Sequence, residues 1–246
     1  GAAAFAIFAL SVAGSVFAAW LLWRRIRGRA VSADEGGDAD EAPVSAWTAL
    51  KGSLVIVAFF VVGCVAGLFA PFDMTGSRMS AYVLYALMFC VGVTLGNDRT
   101  LAERVRRLDP RLALLPVATA VGTLDGAALA PLLGGWSLTD SLAVGAGFGY
   151  YSLSSIFIAD LRGPELATIA LLCNVMREIF TLLAAPLVAR WCGPLAAVSI
   201  GGATTFDTTL PVITQAAGRP YAVVSIFHGC ALDFSVPFLV TFFCTI

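Results

Sequence analysis

Ser199-Ile-Gly-Gly-Ala-Thr-Thr-Phe-Asp-Thr-Thr-Leu-Pro211 lies between apolar stretches, yet it holds a glycine pair, four threonines, a carboxylate and a proline. Inside a bilayer every backbone N–H and C=O needs a partner. Irregular backbone survives there only where it lines a cavity or is buried in protein. A carboxylate at that depth costs roughly 2.5–3.5 kcal/mol on insertion scales and usually marks a substrate or ion path. A membrane helix broken at an acid is one way secondary transporters build a binding site. The stretch therefore predicts a helical membrane protein with an interrupted segment.

The rest of the chain agrees with that reading. Its 246 residues are 59% hydrophobic and 13% charged, with a mean hydropathy of +0.89, whereas soluble domains carry about 25% charged residues. The apolar residues fall in blocks of about 20, the length of a membrane span. Eight such segments are expected, at about 2–23, 51–70, 80–97, 112–133, 139–160, 166–190, 195–216 and 221–245. The fold class is an all-α polytopic membrane protein, expected to have the repeat-based architecture of a secondary transporter. A net charge of −1 gives no sign of a nucleic-acid partner. The six cysteines form no CxxC pair and read as small packing residues. No HExxH, P-loop or GxSxG motif occurs, and one histidine cannot make a histidine-rich metal site. No enzyme chemistry, cofactor or metal is expected.

The organisation reads as three parts. Residues 1–29 form a first span, its basic residues following the apolar core instead of preceding it as in a signal peptide. With Gly1 already inside an apolar run, natural sequence is expected upstream. Residues 30–50 read as a flexible, acidic cytoplasmic loop. Residues 51–246 read as the transporter core, with interruptions at 145–155 and 199–211. Arg24, Arg25, Arg27, Arg29 and Lys51 flank the first long loop, and Arg99, Arg104, Arg106, Arg107 and Arg111 crowd another. Counting alternate loops puts Arg162 and Arg219 with them, and Arg78 and Arg190 opposite. The positive-inside rule then places both ends of the chain away from the cytoplasm.

The second interruption is Gly145-Ala-Gly-Phe-Gly-Tyr-Tyr-Ser-Leu-Ser-Ser155, also rich in glycine and hydroxyls. Paired interrupted segments point to a transporter site. With one span between them, crossing segments would run the same way. An inverted pair needs re-entry, and the sequence leaves that open.

Within these segments, Asn174, Glu178 and Thr181 share one helical face and form a polar stripe expected to face the bundle interior. Arg177 points about 100° away and reads as a structural charge. Asp207 is surrounded by Thr204, Thr205, Thr208 and Thr209, and Pro211 leaves an upstream carbonyl free. Gly147, Gly149, Ser152 and Ser154 of the other interruption are further candidates for binding substrate or ion. Proton relay candidates are Glu178, His228 and Asp233; the last two lie about 140° apart on a helix and are not a dyad. Asp125 is an intramembrane acid without context.

These residues resemble those of the bacterial L-lysine exporter family, often named LysO. The matching stretches are Gly147-Phe-Gly-Tyr-Tyr-Ser-Leu-Ser154, Cys173-Asn-Val-Met-Arg-Glu178, Gly202-Ala-Thr-Thr-Phe-Asp-Thr-Thr-Leu-Pro211, Phe227-His-Gly229 and the run Leu84–Asn97. The resemblance implies export of L-lysine and thialysine across the bacterial inner membrane in exchange for H+ or Na+, with the family's glutamate at Glu178 and its second acid at Asp207. Asp125 and Asp233 have no counterpart in the family pattern. Expected partners are L-lysine, the coupling ion, the lipid bilayer and a possible second copy of the chain. The alternative is a sodium–proton antiporter with no organic substrate.

Overall fold

The computed structural model describes residues 1–34, 110–134 and 136–246, together with the isolated helical positions 58, 62, 65 and 93. Apart from those four positions, the expected segments 51–70 and 80–97, most of the acidic loop, the Leu84–Asn97 run, Cys64, Cys90 and the basic residues from Arg99 to Arg107 lie outside the described residues. Eight helices and no strands occur among those described: α1 (Ala2–Asp34), α2 (Leu115–Ala128), α3 (Leu138–Gly145), α4 (Tyr151–Arg162), α5 (Pro164–Cys192), α6 (Pro194–Gly201), α7 (Leu210–Ala217) and α8 (Tyr221–Thr245). Short 3-10 turns at Pro110–Leu114 and Ala130–Leu133 extend α2, and another at Gly202–Phe206 follows α6.

Among the described residues, four stretches are long and apolar enough to cross a bilayer: Ala2–Ile26, Pro110–Leu133, Pro164–Cys192 and Tyr221–Thr245. They coincide with four of the eight expected segments. The segments 139–160 and 195–216 are different, because each is two short helices separated by irregular backbone. Chain chemistry sets these ends. The 3-10 turn follows Gly201, and Pro211 sits in the first turn of α7, where its missing N–H costs no helical bond.

Both short pairs fold back on themselves. At the start of α3, Asp140 forms an ion pair with Arg162 at the end of α4, at 3.3 Å. The Nε of Arg162 donates to the Cys244 carbonyl at the end of α8, at 2.8 Å. The two ends of the first pair therefore share one end of the bundle. At the other end, the Trp23 ring abuts Gly193, just before α6, and stacks edge-on with Tyr221, just after α7. The two hairpins enter from opposite ends, with α5 running between those ends. This corrects the alternate-loop count: Arg162 and Arg190 exchange sides, so Arg24, Arg190 and Arg219 share one end and Arg162 lies at the other.

The scaffold behind the hairpins is tight. Gly14 of α1 faces Gly122 of α2, and Gly126 lies against the backbone of Leu10 and Ser11, so close that a Cβ on any of them would overlap main-chain atoms. Without a hydrophobic force between helices in lipid, such small-residue seams supply close packing.

Candidate functional site at the meeting of two hairpin tips

The tip of the first hairpin, between α3 and α4, turns through Phe148 and Gly149, both with positive φ (46° and 97°). Its Gly149 amide donates to Asn174 Oδ1 of α5 at 2.8 Å, while Asn174 Nδ2 donates to Ser154 Oγ and the Ala170 carbonyl. Gly147 packs on the same two side chains. Asn174 (2% exposed) and Ser154 (buried) thus hold the tip in shape with their own hydrogen bonds. Ser152 is exposed, with the Tyr150 side chain nearby.

The tip of the second hairpin runs through Gly202 (φ 60°, ψ −129°), a conformation that only glycine adopts readily. The two tips touch. Ala203 N–H donates to the Phe148 carbonyl at 2.8 Å, and a Cβ on Gly202 would fall on that same oxygen.

Arg177 of α5, 2% exposed, underlies the contact. Its guanidinium donates to the Ile200 carbonyl (2.9 Å), the Ser199 carbonyl (3.0 Å) and Thr123 Oγ1 (3.3 Å). These carbonyls close the C-terminal end of α6, where a cation meets the negative end of the helix dipole. Arg177 forms no ion pair among the described residues.

Of the four threonines, three serve the tip itself. Thr204 donates to the Gly201 carbonyl, Thr205 to those of Gly202 and Ser225, and Thr209 to that of Thr204. Thr208 alone turns to the acids. Its amide and hydroxyl donate to Asp207 Oδ1 at 2.5 and 3.3 Å, and its side chain lies near Glu178. The expected threonine shell around Asp207 is therefore reduced to Thr208, because the other three hydroxyls bond backbone carbonyls of the tip and of α8 instead.

Three half-buried carboxylates from three elements gather here. Asp207 lies within electrostatic reach of Glu178 and of Asp233. Asp233 follows Gly229 by one turn of α8, and Gly229 packs on the Phe206 backbone next to Asp207. Tyr150 lies within electrostatic reach of Asp207 and Asp233, and Tyr151 of Glu178 and Asp207. The two tyrosines were hidden in the sequence by the glycines around them. No three His, Cys, Asp or Glu side chains among the described residues are placed to hold a metal ion.

His228 stands apart from this group. It is fully buried between Thr205 and Thr119, and Asp125 is exposed on α2. Thr181 caps the Arg177 carbonyl. Sequence reasoning missed Thr119 and Thr123, whose signal was two hydroxyls four residues apart in an otherwise apolar segment.

A family model described as lysine exporter LysO matches residues 57–244, which include both tips and all three acids. The chain belongs to the LysO lysine exporter family. The protein named "Lysine exporter LysO" of Escherichia coli K12 is 31% identical to this LysO-family chain over 194 residues, covering 79% of the chain and 63% of that relative. The chain thus spans less than two thirds of that relative's length. A "Putative lysine exporter" of Haemophilus influenzae is 32% identical over 162 residues, covering 66% of the chain and 82% of that relative. No solved structure matches the chain significantly.

Proposed function

We propose that this chain carries the substrate path of a secondary exporter of L-lysine, and of its analogue thialysine, in the bacterial inner membrane. The observation that carries the reading is the bonded pair of hairpin tips with three carboxylates beside it. Family membership supplies the substrate, and the names of the relatives do not favour the sodium–proton alternative.

Lysine brings two ammonium groups and one carboxylate. Glu178 and Asp207 receive the ammonium groups, with the Thr208 hydroxyl between the acids. Tyr150 and Tyr151 present phenol oxygens and ring faces, both of which attract ammonium. Backbone N–H groups at the broken helices receive the substrate carboxylate. A carboxylate holds either a proton or a cationic substrate. Protons arriving from outside therefore compete lysine off the acids, and this exchange couples export to the proton gradient without covalent chemistry.

Residues 138–192 and 194–245 form two units of the same plan, a hairpin followed by a span, entering from opposite ends. We read them as an inverted repeat whose alternating exposure moves the site from one side to the other. The end with Arg24, Arg190 and Arg219 is cytoplasmic by the positive-inside rule.

The test is uptake of labelled lysine into everted vesicles under an imposed pH gradient, with and without the protein. Gradient-driven accumulation supports the proposal, whereas accumulation indifferent to the gradient removes proton coupling. Exchange of Na+ for H+ in liposomes without lysine would favour the antiporter.

A further inference from the structure

Behind the second tip, a buried chain of hydrogen bonds joins four helices. Thr205 Oγ1 reaches the Gly202 and Ser225 carbonyls, both at 2.9 Å, and His228 Nδ1 at 3.0 Å. His228 Nε2 meets Thr119 Oγ1 of α2 at 2.8 Å, and Thr119 Oγ1 meets Ser199 Oγ of α6 at 2.8 Å. Ser199 Oγ donates to the Ser15 carbonyl of α1 at 3.1 Å. All four side chains are buried, and His228 and Ser199 are 0% exposed.

The chain ends on carbonyl groups at both ends, and carbonyls only accept. Between Gly202 or Ser225 and Ser15 there are five links, and each needs one proton. Thr205, Thr119 and Ser199 supply one each, and a neutral imidazole supplies one more. Four protons cannot fill five links. A fifth would make His228 an imidazolium beside the Arg177 guanidinium, the charged group that faces it. Burying an unpaired charge is costly, and both ring nitrogens meet hydroxyls instead of a carboxylate.

We propose that His228 is a two-position tie whose tautomer decides which end of this chain is closed. With the proton on Nδ1, His228 donates to Thr205 and Thr205 holds the Gly202 and Ser225 carbonyls. The tip is then locked on itself, and one link toward α1 is open. With the proton on Nε2, His228 donates to Thr119, Thr119 to Ser199 and Ser199 to Ser15. Thr205 must then turn its proton to Nδ1 and releases the Gly202 carbonyl of the tip and the Ser225 carbonyl of α8. His228 is on this view a positioning residue for the second hairpin, which ties the release of its tip to the α1–α2 scaffold. The idea rests on the reading of that tip as part of the transport site.

His228 is the only histidine of the sequence, so nitrogen-15 histidine labelling of the full chain in bilayers gives one pair of ring signals. Those signals show which nitrogen carries the proton. Thr205→Val removes the Nδ1 partner and leaves three protons for three links, which requires the proton on Nε2. Ser199→Ala also leaves three for three, but requires it on Nδ1. Opposite tautomers in these two variants are expected, and the same tautomer in both, or an imidazolium at neutral pH, overturns the proposal. Labelled-lysine binding to the unmutated protein is followed separately. Opposite tautomers with no lysine binding would leave the tie standing and count against the export reading alone.

Discussion

The amide of Ala203 bonds the carbonyl of Phe148 across 55 residues of sequence, joining the tips of two hairpins that enter from opposite ends of the bundle. Neither tip has a regular helical partner for these groups, so each supplies what the other lacks. Arg177 and Asn174 of α5 hold the two tips from behind, through the Ser199 and Ile200 carbonyls and the Gly149 amide.

This contact sets the first prediction. Gly202→Ala places a methyl group on the Phe148 oxygen and forces a non-glycine residue into φ 60°, ψ −129°. Backbone strain of this kind costs about 1–3 kcal/mol. A lower melting temperature in detergent and loss of lysine export are expected; unchanged values for both would show that the tips do not depend on this approach.

Arg177→Met should destabilise more broadly. It removes the guanidinium from the Ile200 carbonyl and from the Ser199 carbonyl, which keeps only the Gly202 amide, and a buried acceptor left unsatisfied costs about 1–3 kcal/mol. Arg177→Lys rescues only in part, since an ammonium cannot span two carbonyls and Thr123 Oγ1 with the planar fork of a guanidinium. Thermal unfolding of the three proteins should rank native, lysine variant, methionine variant.

Glu178→Gln should abolish export with folding preserved. The amide keeps the volume and can still meet Thr208, so only the charge and its titration are removed. Thialysine resistance of cells expressing the variant reports the loss, and full resistance would take Glu178 out of the mechanism.

Asp207→Asn is expected to weaken lysine binding at every pH, whereas Glu178→Gln mainly removes its pH dependence. Asp207 is anchored by two donors from Thr208, a fixed receptor for an ammonium. Glu178 has the same side chain nearby and sits on a regular helix, better suited to exchange a proton. Calorimetry over about pH 5.5–8.5, around the ordinary histidine range, separates the two, and pH dependence that vanished in Asp207→Asn but persisted in Glu178→Gln would reverse the roles.

Hairpins also make a topological prediction. Cysteines replacing Asp140 and Arg162 should react with a membrane-impermeant maleimide from one side, and those replacing Arg190 and Arg219 from the other. Labelling of positions 140 and 162 from opposite sides would mean that 139–160 crosses the membrane.

The sequence made some of this legible and hid the rest for physical reasons. Long apolar blocks marked α1, α5 and α8, because a span must be apolar throughout. Glycine, threonine and proline clusters marked where helices stop, since those residues supply the unusual φ or lack an N–H. What they could not show is direction: a hairpin and a crossing helix pair have the same hydropathy, and only the contacts of Arg162 with Asp140 and of Trp23 with Gly193 and Tyr221 distinguish them. Arg177 read as a structural charge, but its carbonyl acceptors lie 22 and 23 residues away and have no compositional signal. The threonines looked like a cation shell, yet three of the four hydroxyls bond backbone carbonyls, which composition alone does not reveal. Asp233 joined Asp207 only through the packing of Gly229 on Phe206.

At its two ends α5 has nearly the same joint, Gly163-Pro164 with φ 95° and ψ 171° and Gly193-Pro194 with φ 94° and ψ 168°. Its 29 residues make a rod about 43 Å long. From one joint, α4 reaches back about 18 Å with 12 residues. From the other, α6 reaches inward about 12 Å with 8 residues, just short of the contact at Ala203. Both arms start from the ends of one rod, so the length of α5 acts as a ruler for the depth at which the tips meet. One extra turn in α5 would draw the arms about 5.4 Å apart, more than a hydrogen bond can stretch, while every residue of both tips remained unchanged.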